Sequence, residues 1–206
     1  MTARVILLAG PSGSGKSHIA ARSGLPVLRL DDFYKDADDP SLPLSAELGI
    51  PDWDDVGAWH HDRAVAALAR LCAEGSVEVP TYDISLSRAT GSSVFRCDGA
   101  SAVVAEGVFA PDIVSACRDA GMLGDAVVLV RAPWKNFVRR LARDLAEHRK
   151  PPLTLWRRGR ILMHQEQGVV DAAVAKGCRP VTAAELATLL RAQSHRRRAR
   201  RLLRAQ

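Results

Sequence analysis

The chain has 206 residues, of which 47% are hydrophobic and 25% are charged, and its formal net charge is +6. This length fits one α/β domain with a small lid and is sufficient to bury a core. No apolar run approaches the ~20 residues of a membrane helix, and the run Val5–Ala9 is too short for a signal peptide. We therefore expect a cytoplasmic protein without a membrane partner.

The positive charge is concentrated at the end of the chain. No acidic residue follows Glu185. Six arginines lie close together near the end of the chain: Arg196, Arg197, Arg198, Arg200, Arg201 and Arg204. Without these six arginines, the formal net charge of the chain would be zero. A basic tail can bind nucleic acid or anionic lipid, but it is more often a solvated helix end. We therefore predict one folded domain over residues 1–190 and a basic helical tail over residues 191–206, and we expect no nucleic-acid partner.

The cysteine pattern excludes two further classes of protein. Four cysteines lie far apart without C-x-x-C spacing, at Cys72, Cys97, Cys117 and Cys178. This spacing argues against a zinc site and against a disulfide framework. We predict four buried, reduced thiols, because free cysteine usually packs as a small apolar residue.

The first half of the chain is predicted to alternate between strands and helices. The apolar run Val5–Ala9 indicates a strand buried on both faces. A glycine-rich loop follows this strand, and after the loop a helix begins at Lys16 and ends near Gly24. The next elements are a strand at 26–30, a loop rich in Pro and Asp at 36–59, a helix through 64–72 that Gly75 closes, and a β-hairpin within 77–95 around Ala89–Gly91.

The second half continues this alternation. Strands are predicted at 101–105 and 126–130 with a helix at 113–120 between them, and three helices follow at 134–148, at 155–167 and from Ala183 onward. Strands that alternate with helices indicate an α/β protein with a parallel, doubly wound sheet in three layers. The hairpin would be a small insertion, and residues 139–160 would form a helical lid.

The glycine-rich loop carries the most specific motif. It matches G-x-x-x-x-G-K-[ST] in full, and a strand precedes it and a helix follows it, as in P-loop NTPases. Backbone N–H groups of such a loop surround phosphate oxygens, the lysine reaches the β- and γ-phosphates, and the last hydroxyl ligates Mg²⁺. We predict an ATP site formed by Gly10, Pro11, Ser12, Gly13, Ser14, Gly15, Lys16, Ser17 and His18.

Two carboxylates are predicted at the carboxyl ends of strands, where ligands collect in open parallel sheets. Glu106 follows the run at 102–105, and we assign it to Mg²⁺ together with Ser17. Asp31 follows the second strand and is placed to accept a proton from an attacking hydroxyl. Either residue could instead cap a helix; Asp32 or Asp36 fits that role better than Asp31, but an exchange of roles stays open.

Arginines on the helix from Trp134 are the remaining catalytic candidates. Arg140 and Arg143 project away from the apolar face of this helix. Guanidinium groups from a closing lid can stabilise the charge of a transferring γ-phosphate. These arginines could also be solvated and paired with Asp144 and Glu147 at i,i+4 spacing. The upstream phosphate loop favours the catalytic interpretation.

Together and in this order, the motifs resemble those of the uridine kinase family over about residues 1–150. The resemblance rests on these segments: Gly10–Ser17, Leu30-Asp-Asp-Phe-Tyr-Lys35, Trp53-Asp-Asp55, Pro80-Thr-Tyr-Asp-Ile84 with Arg88, Glu106-Gly107, and Arg139-Arg-Leu-Ala-Arg-Asp144. It implies transfer of the γ-phosphate of ATP to the 5′-hydroxyl of a pyrimidine ribonucleoside.

The same resemblance implies roles for individual residues. Asp31 would orient the acceptor hydroxyl, Tyr34 would line the sugar site, and Asp54 would hold ribose hydroxyls. Tyr82 would stack near the base and Arg88 would shape the same pocket, while Arg140 and Arg143 would clamp phosphates. By themselves, the two tyrosines are as readily explained as half-buried packing residues.

The sequence departs from the family at two places, in the residues that read the acceptor and in the lid. The family has a histidine between the Tyr-Asp pair and the arginine, whereas the segment Asp83–Ser87 has none, and His148-Arg-Lys150 stands where the family has Arg-Gly-Arg. A kinase for another small alcohol, of the pantothenate or phosphoribulose type, is therefore an alternative. A nucleotide-binding regulator or ATPase that uses the basic tail is another, and a homo-oligomer stays open.

Overall fold

The computed structural model describes residues 3–46, 49–132, 134, 136–138 and 166–203, with side chains up to residue 194 in the last helix. Its seven strands are β1 (Arg4–Ala9), β2 (Val27–Arg29), β3 (Ser76–Asp83), β4 (Arg88–Arg96), β5 (Ala102–Glu106), β6 (Leu123–Leu129) and β7 (Arg179–Val181). The helices are α1 (Lys16–Ala21), α2 (His61–Glu74), α3 (Val114–Asp119), residues 166–175, and the C-terminal helix (Ala183–Leu203). Short 3-10 turns occur at Leu30–Phe33, Val56–Ala58 and Ala110–Ile113.

A parallel sheet forms the centre of the fold. Its strand order is β2-β5-β1-β6-β7, and every neighbouring pair is parallel. Such pairs need crossover connections, which here are mostly helices. The carboxyl ends of β1, β5 and β2 therefore lie at one edge, with Leu8 of β1 opposite Glu106 of β5 and Arg29 of β2 on the other side of Glu106.

Helices cover both faces of this sheet. In β1, Val5, Leu7 and Ala9 belong to a core shared with α2, α3 and residues 166–175, while Ile6 and Leu8 pack with α1 and the C-terminal helix. Successive side chains of a strand point to opposite faces, so an uninterrupted apolar run fills two cores. The predicted three-layer α/β fold with a parallel sheet is confirmed. The four cysteines are buried and none is in a disulfide bond, as expected.

The β-hairpin is present, but its predicted turn is wrong. β3 and β4 pair antiparallel, and the turn lies at residues 84–87, whereas Ala89–Gly91 belongs to β4, with Gly91 opposite Thr81. The Asp83 carboxylate accepts hydrogen bonds from the N–H of Ser85 (2.8 Å) and from its hydroxyl (2.6 Å). This local side-chain turn reverses the chain without glycine.

The C-terminal part differs from the prediction in two further respects. β7 was not predicted, because it has only three residues and contains Pro180. Of the helix expected at 155–167, only residues 166 and 167 are described, and the helix continues from them through residue 175. The last helix begins at Ala183 as expected. It continues without a break past residue 190, where the sequence predicts the boundary between the folded domain and the basic tail. No helix of the described ranges combines the length and apolar composition needed to cross a bilayer.

The predicted lid at 139–160, with Arg140 and Arg143, lies outside the described residues. Of the helix expected at 134–148, residues 134 and 136–138 are described and are helical. The catalytic roles of the two arginines therefore stay predictions.

Candidate active site

The phosphate loop connects β1 to α1. Gly13 (φ 79°) and Gly15 (φ 86°) have left-handed backbone conformations, which favour glycine over other residues. At Gly10, a Cβ would lie 3.2 Å from both the Leu129 carbonyl oxygen and Ser14 Oγ, so the loop starts tightly against β6. Gly15 is the N-cap of α1 and supplies no side-chain cap. The start of α1 is thus suited to a phosphate group, which can satisfy its N–H groups.

Ser17 and Glu106 join the phosphate loop to the next strand. Ser17 Oγ donates a hydrogen bond to Glu106 Oε2 at 3.0 Å, and Glu106 ends β5 with only 8% of its surface exposed. A hydroxyl and a carboxylate oxygen are ligand types that Mg²⁺ prefers, and Mg²⁺ takes its remaining ligands from phosphates and water. No group of three or more His, Cys, Asp and Glu side chains suited to a metal occurs among the described residues. The residues present fit Mg²⁺ bound together with a nucleotide.

Asp31 lies at the same edge, on the far side of β5 from the loop. It belongs to the 3-10 turn Leu30–Phe33 that follows β2, and the indole of Trp59 holds this turn by donating to the Leu30 carbonyl oxygen at 2.7 Å. Gly107 is in close contact with the turn: a Cβ on Gly107 would lie 2.9 Å from Asp31 Oδ1 and 2.8 Å from Leu30 Cβ. The ends of β2 and β5 therefore bring Asp31 beside the Glu106–Gly107 step.

A cavity of about 320 Å³ lies next to Asp31, and its wall is mainly aromatic. Its lining consists of Asp31, Tyr34, Trp53, Tyr82, Ile84 and Ser87. The ring of Tyr34 packs edge-on against Trp53 at 5.9 Å and is tilted against Tyr82 at the same distance. This volume is within the range of small-molecule sites.

Both tyrosine hydroxyls of the cavity donate hydrogen bonds to the protein itself. Tyr34 donates to the carbonyl oxygen of Trp53 at 3.3 Å, and Tyr82 donates to that of Lys35 at 2.9 Å. Burial raises the pKa of Tyr34, with further contributions from the carboxylates of Asp31 and Asp54, and burial also raises the pKa of Tyr82. Both phenols therefore remain neutral and present ring faces to a ligand.

The hairpin that carries Tyr82 is tied to the segment after β2 by two aspartates. Asp32 Oδ1 accepts from the Tyr82 N–H at 3.4 Å, and Asp36 Oδ1 accepts from the Ala89 N–H at 2.7 Å. The suggestion that Asp32 or Asp36 caps a helix is wrong, because both carboxylates accept hydrogen bonds from N–H groups of the hairpin. Their structural role is to hold one wall of the cavity against Asp31.

The structure brings together only part of the predicted acceptor set. Asp31, Tyr34 and Tyr82 line the cavity, whereas Asp54 is exposed beside Tyr34 and is not part of the lining. Arg88 is also outside the lining, since it begins β4 beyond the turn and its guanidinium lies 3.6 Å from Asp38 Oδ2. His18 is exposed on α1.

Three lining residues were not predicted. Trp53 precedes the predicted Asp54 directly, and Ile84 and Ser87 belong to the hairpin turn. For Trp53 a signal existed, since a tryptophan in a polar, Pro- and Asp-rich loop needs a packing partner or a ligand. Ile84 and Ser87 lie in the hairpin turn at residues 84–87, whereas the sequence predicts this turn around Ala89–Gly91.

Solved structures with this fold include kinases. A protein from Silicibacter sp. TM1040, named by inference as a fructose transport system kinase, has a TM-score of 0.59 at 16% identity, covering 87% of this chain and 88% of its own. Phosphoribulokinase from Rhodobacter spheroides has a TM-score of 0.51 at 14% identity, covering 88% of this chain and 70% of its own. A protein suggested to be a uridine kinase from Bacillus stearothermophilus has a TM-score of only 0.45 at 16% identity, covering 81% of this chain and 84% of its own.

No protein-family profile matches the chain, and no curated protein sequence matches it. At these identities the structural neighbours establish the fold and leave the activity to be argued from the site. The chain therefore has the fold of P-loop kinases, as its sequence predicts.

Proposed function

We propose that the protein is a magnesium-dependent kinase that transfers the γ-phosphate of ATP to a hydroxyl of a small, uncharged, nucleoside-like molecule. The observation that supports this most is the position of Asp31. It lies at the same sheet edge as the Ser17–Glu106 pair and also lines an aromatic cavity next to that edge. A phosphate loop alone would fit any class of P-loop NTPase, whereas a carboxylate in a separate cavity fits an acceptor substrate.

The proposed transfer step uses the groups at this edge. The loop from Gly10 and Lys16 hold the triphosphate, and Ser17 and Glu106 would hold Mg²⁺, which neutralises charge on the β- and γ-phosphates when bound. The oxygen of the acceptor hydroxyl bonds to the γ-phosphorus, and the bond from the γ-phosphorus to the β–γ bridging oxygen breaks. Asp31 accepts the proton of the acceptor hydroxyl during this step. ADP leaves, and the proton remains on the carboxyl until it passes to solvent.

The charge of the cavity favours an uncharged acceptor. Among the described residues, its lining contains the Asp31 carboxylate and no Lys, Arg or His, and Asp54 lies beside Tyr34. A phosphate or carboxylate on the acceptor would face these negative charges without a compensating cation among the described residues. This argues for a nucleoside-like acceptor and against the phosphoribulose and pantothenate alternatives.

The hydrogen-bonding groups of the cavity suggest little discrimination between bases. Tyr34 and Tyr82 use their hydroxyls within the protein, and no histidine of the described part of the chain lines the wall. A flat ring would be held chiefly by stacking on aromatic faces, and aromatic walls without free hydrogen-bonding groups reject similar rings only weakly.

A direct test is to incubate the protein with γ-labelled ATP, Mg²⁺ and single acceptors from a panel of nucleosides, vitamins, sugars and sugar phosphates. We expect label on uncharged nucleoside-like acceptors, and much less on pantothenate or sugar phosphates. Release of phosphate from ATP at one rate, whatever acceptor is added, would contradict the kinase assignment and favour an ATPase.

A further inference from the structure

A groove of about 440 Å³ lies at the opposite edge of the sheet, where the strands begin. Its charged lining residues are Arg4 at the start of β1, Arg118 near the end of α3, Arg179 at the start of β7, and Asp125 near the start of β6. The described lining of the groove therefore carries three guanidinium groups and one carboxylate. The groove is remote from the phosphate loop, since the six residues of β1 separate the two edges by about 17 Å at ~3.3 Å per residue.

Glycines allow two of these arginines to lie close to the backbone. A Cβ at Gly124 would lie 3.1 Å from Arg4 Cβ and 3.2 Å from the Val5 carbonyl oxygen. At Gly177, which has φ 97°, a Cβ would lie 3.1 Å from Arg118 Nη2. The guanidinium of Arg118 is thus packed against the chain at Gly177, so that its position is constrained although the residue is exposed.

Much of the hydrogen-bonding capacity of the three guanidinium groups is unused. Arg4 donates from Nη1 to the Leu123 carbonyl oxygen at 3.2 Å, and Arg179 pairs with Asp125 at 3.0 Å. The guanidinium group of Arg118 has no hydrogen bond or ion pair with any protein group, as far as the described residues show. Because each guanidinium offers five N–H donors, most of the donors remain free to bind a ligand.

We propose that this groove is a second anion site, which binds a phosphate-bearing small molecule separately from the ATP loop. A planar guanidinium group can donate two parallel hydrogen bonds to two phosphate oxygens. Three guanidinium groups from distant parts of the sequence line this groove, with one carboxylate among the described residues that could compete for them. The volume accommodates a diphosphate or a small phosphoester. The site does not depend on the kinase assignment, because it shares no residue with the proposed active site.

The test is a calorimetric titration with inorganic pyrophosphate at physiological ionic strength. All variants carry Lys16→Ala, which weakens anion binding at the phosphate loop, so that the signal from the groove can be read alone. We expect saturable binding of one pyrophosphate per chain, with affinity about ten-fold lower after Arg118→Gln and again about ten-fold lower after Arg4→Gln.

Arg96→Gln is the matched control, because it removes the same charge from an exposed strand position in β4, outside the groove. It should leave the affinity unchanged, and thermal unfolding should show that all variants fold. The proposal is overturned if binding does not saturate, if Arg118→Gln binds as the parent does, or if Arg96→Gln weakens binding as much as Arg118→Gln.

Discussion

Gly107 and Asp31 are in such close contact that one methyl group would not fit between them. A Cβ on Gly107 would lie 2.9 Å from Asp31 Oδ1, closer than real Cβ atoms approach such a neighbour. Gly107 directly follows Glu106, which binds the Ser17 hydroxyl. The missing side chain therefore allows the proposed base and the proposed metal-holding pair to occupy one sheet edge.

Gly107→Ala should displace the Asp31 carboxylate and slow phosphoryl transfer. A misplacement of about 1 Å at a reacting group can cost on the order of 100-fold in rate, and we expect kcat to fall by about that factor. ATP affinity should change little. Gly91→Ala is the control, since a Cβ there meets no atom within 4 Å; an equal loss of kcat in both variants would contradict this account.

Removing the Ser17 hydroxyl should raise the magnesium requirement. Ser17→Ala eliminates the group that bridges the loop to Glu106 at 3.0 Å, and loss of such a ligand or its support typically weakens metal affinity by about 10- to 100-fold. Ser17→Thr keeps a hydroxyl and should behave like the parent. The measurement is the Mg²⁺ dependence of ATP turnover, and identical Mg²⁺ curves for the alanine and threonine variants would argue against the site.

Trp53→Ala should weaken acceptor binding more than catalysis. The indole forms one wall of the cavity and supports Tyr34 edge-on. Loss of stacking should raise the acceptor KM by roughly ten-fold with a smaller change in kcat. Trp53→Phe should retain most of the affinity. An unchanged acceptor KM in the alanine variant would mean that the acceptor binds elsewhere.

Glu185 should make the stability of the C-terminal helix depend on pH. Its carboxylate accepts hydrogen bonds from the Thr182 N–H (2.7 Å) and hydroxyl (2.9 Å), and these hold the pKa of Glu185 below its ordinary value of 4.5. Because the folded-state pKa is depressed, the stabilisation is present above the ordinary value and is lost as the pH falls through the depressed one.

The measurement is the unfolding free energy of Glu185→Gln and the parent at neutral and acidic pH. The glutamine variant should be less stable at neutral pH, and the difference should shrink on acidification. A difference that stays constant across this range would show that the carboxylate charge has no part in the cap.

The sequence predicts those features that local pattern determines. The uninterrupted apolar runs of β1 and β5 and the motif between Gly10 and Ser17 carry their own signals, and the pairing of Ser17 with Glu106 follows from strand order in such a fold. The long amphipathic helix α2 and its glycine cap at Gly75 were likewise recognisable.

The acceptor cavity depends on contacts that the sequence does not reveal. Its wall forms where the loop carrying Trp53 and the hairpin turn at Ile84 come together, far apart in the chain. The hairpin turn at residues 84–87 lies earlier in the chain than the sequence predicts, and Arg88, which follows it, lies near Asp38 and outside the cavity lining. These are outcomes of tertiary packing, which overrides local propensity.

The proposed role of Asp31 is best tested with Asp31→Asn, by measuring ATP binding and phosphoryl transfer on the same preparation. The amide keeps the size of the side chain but cannot accept the hydroxyl proton, so we predict parental ATP affinity together with a loss of transfer on the order of 100-fold or more. Transfer to the acceptor at the parental rate by Asp31→Asn would contradict the proposed role of Asp31.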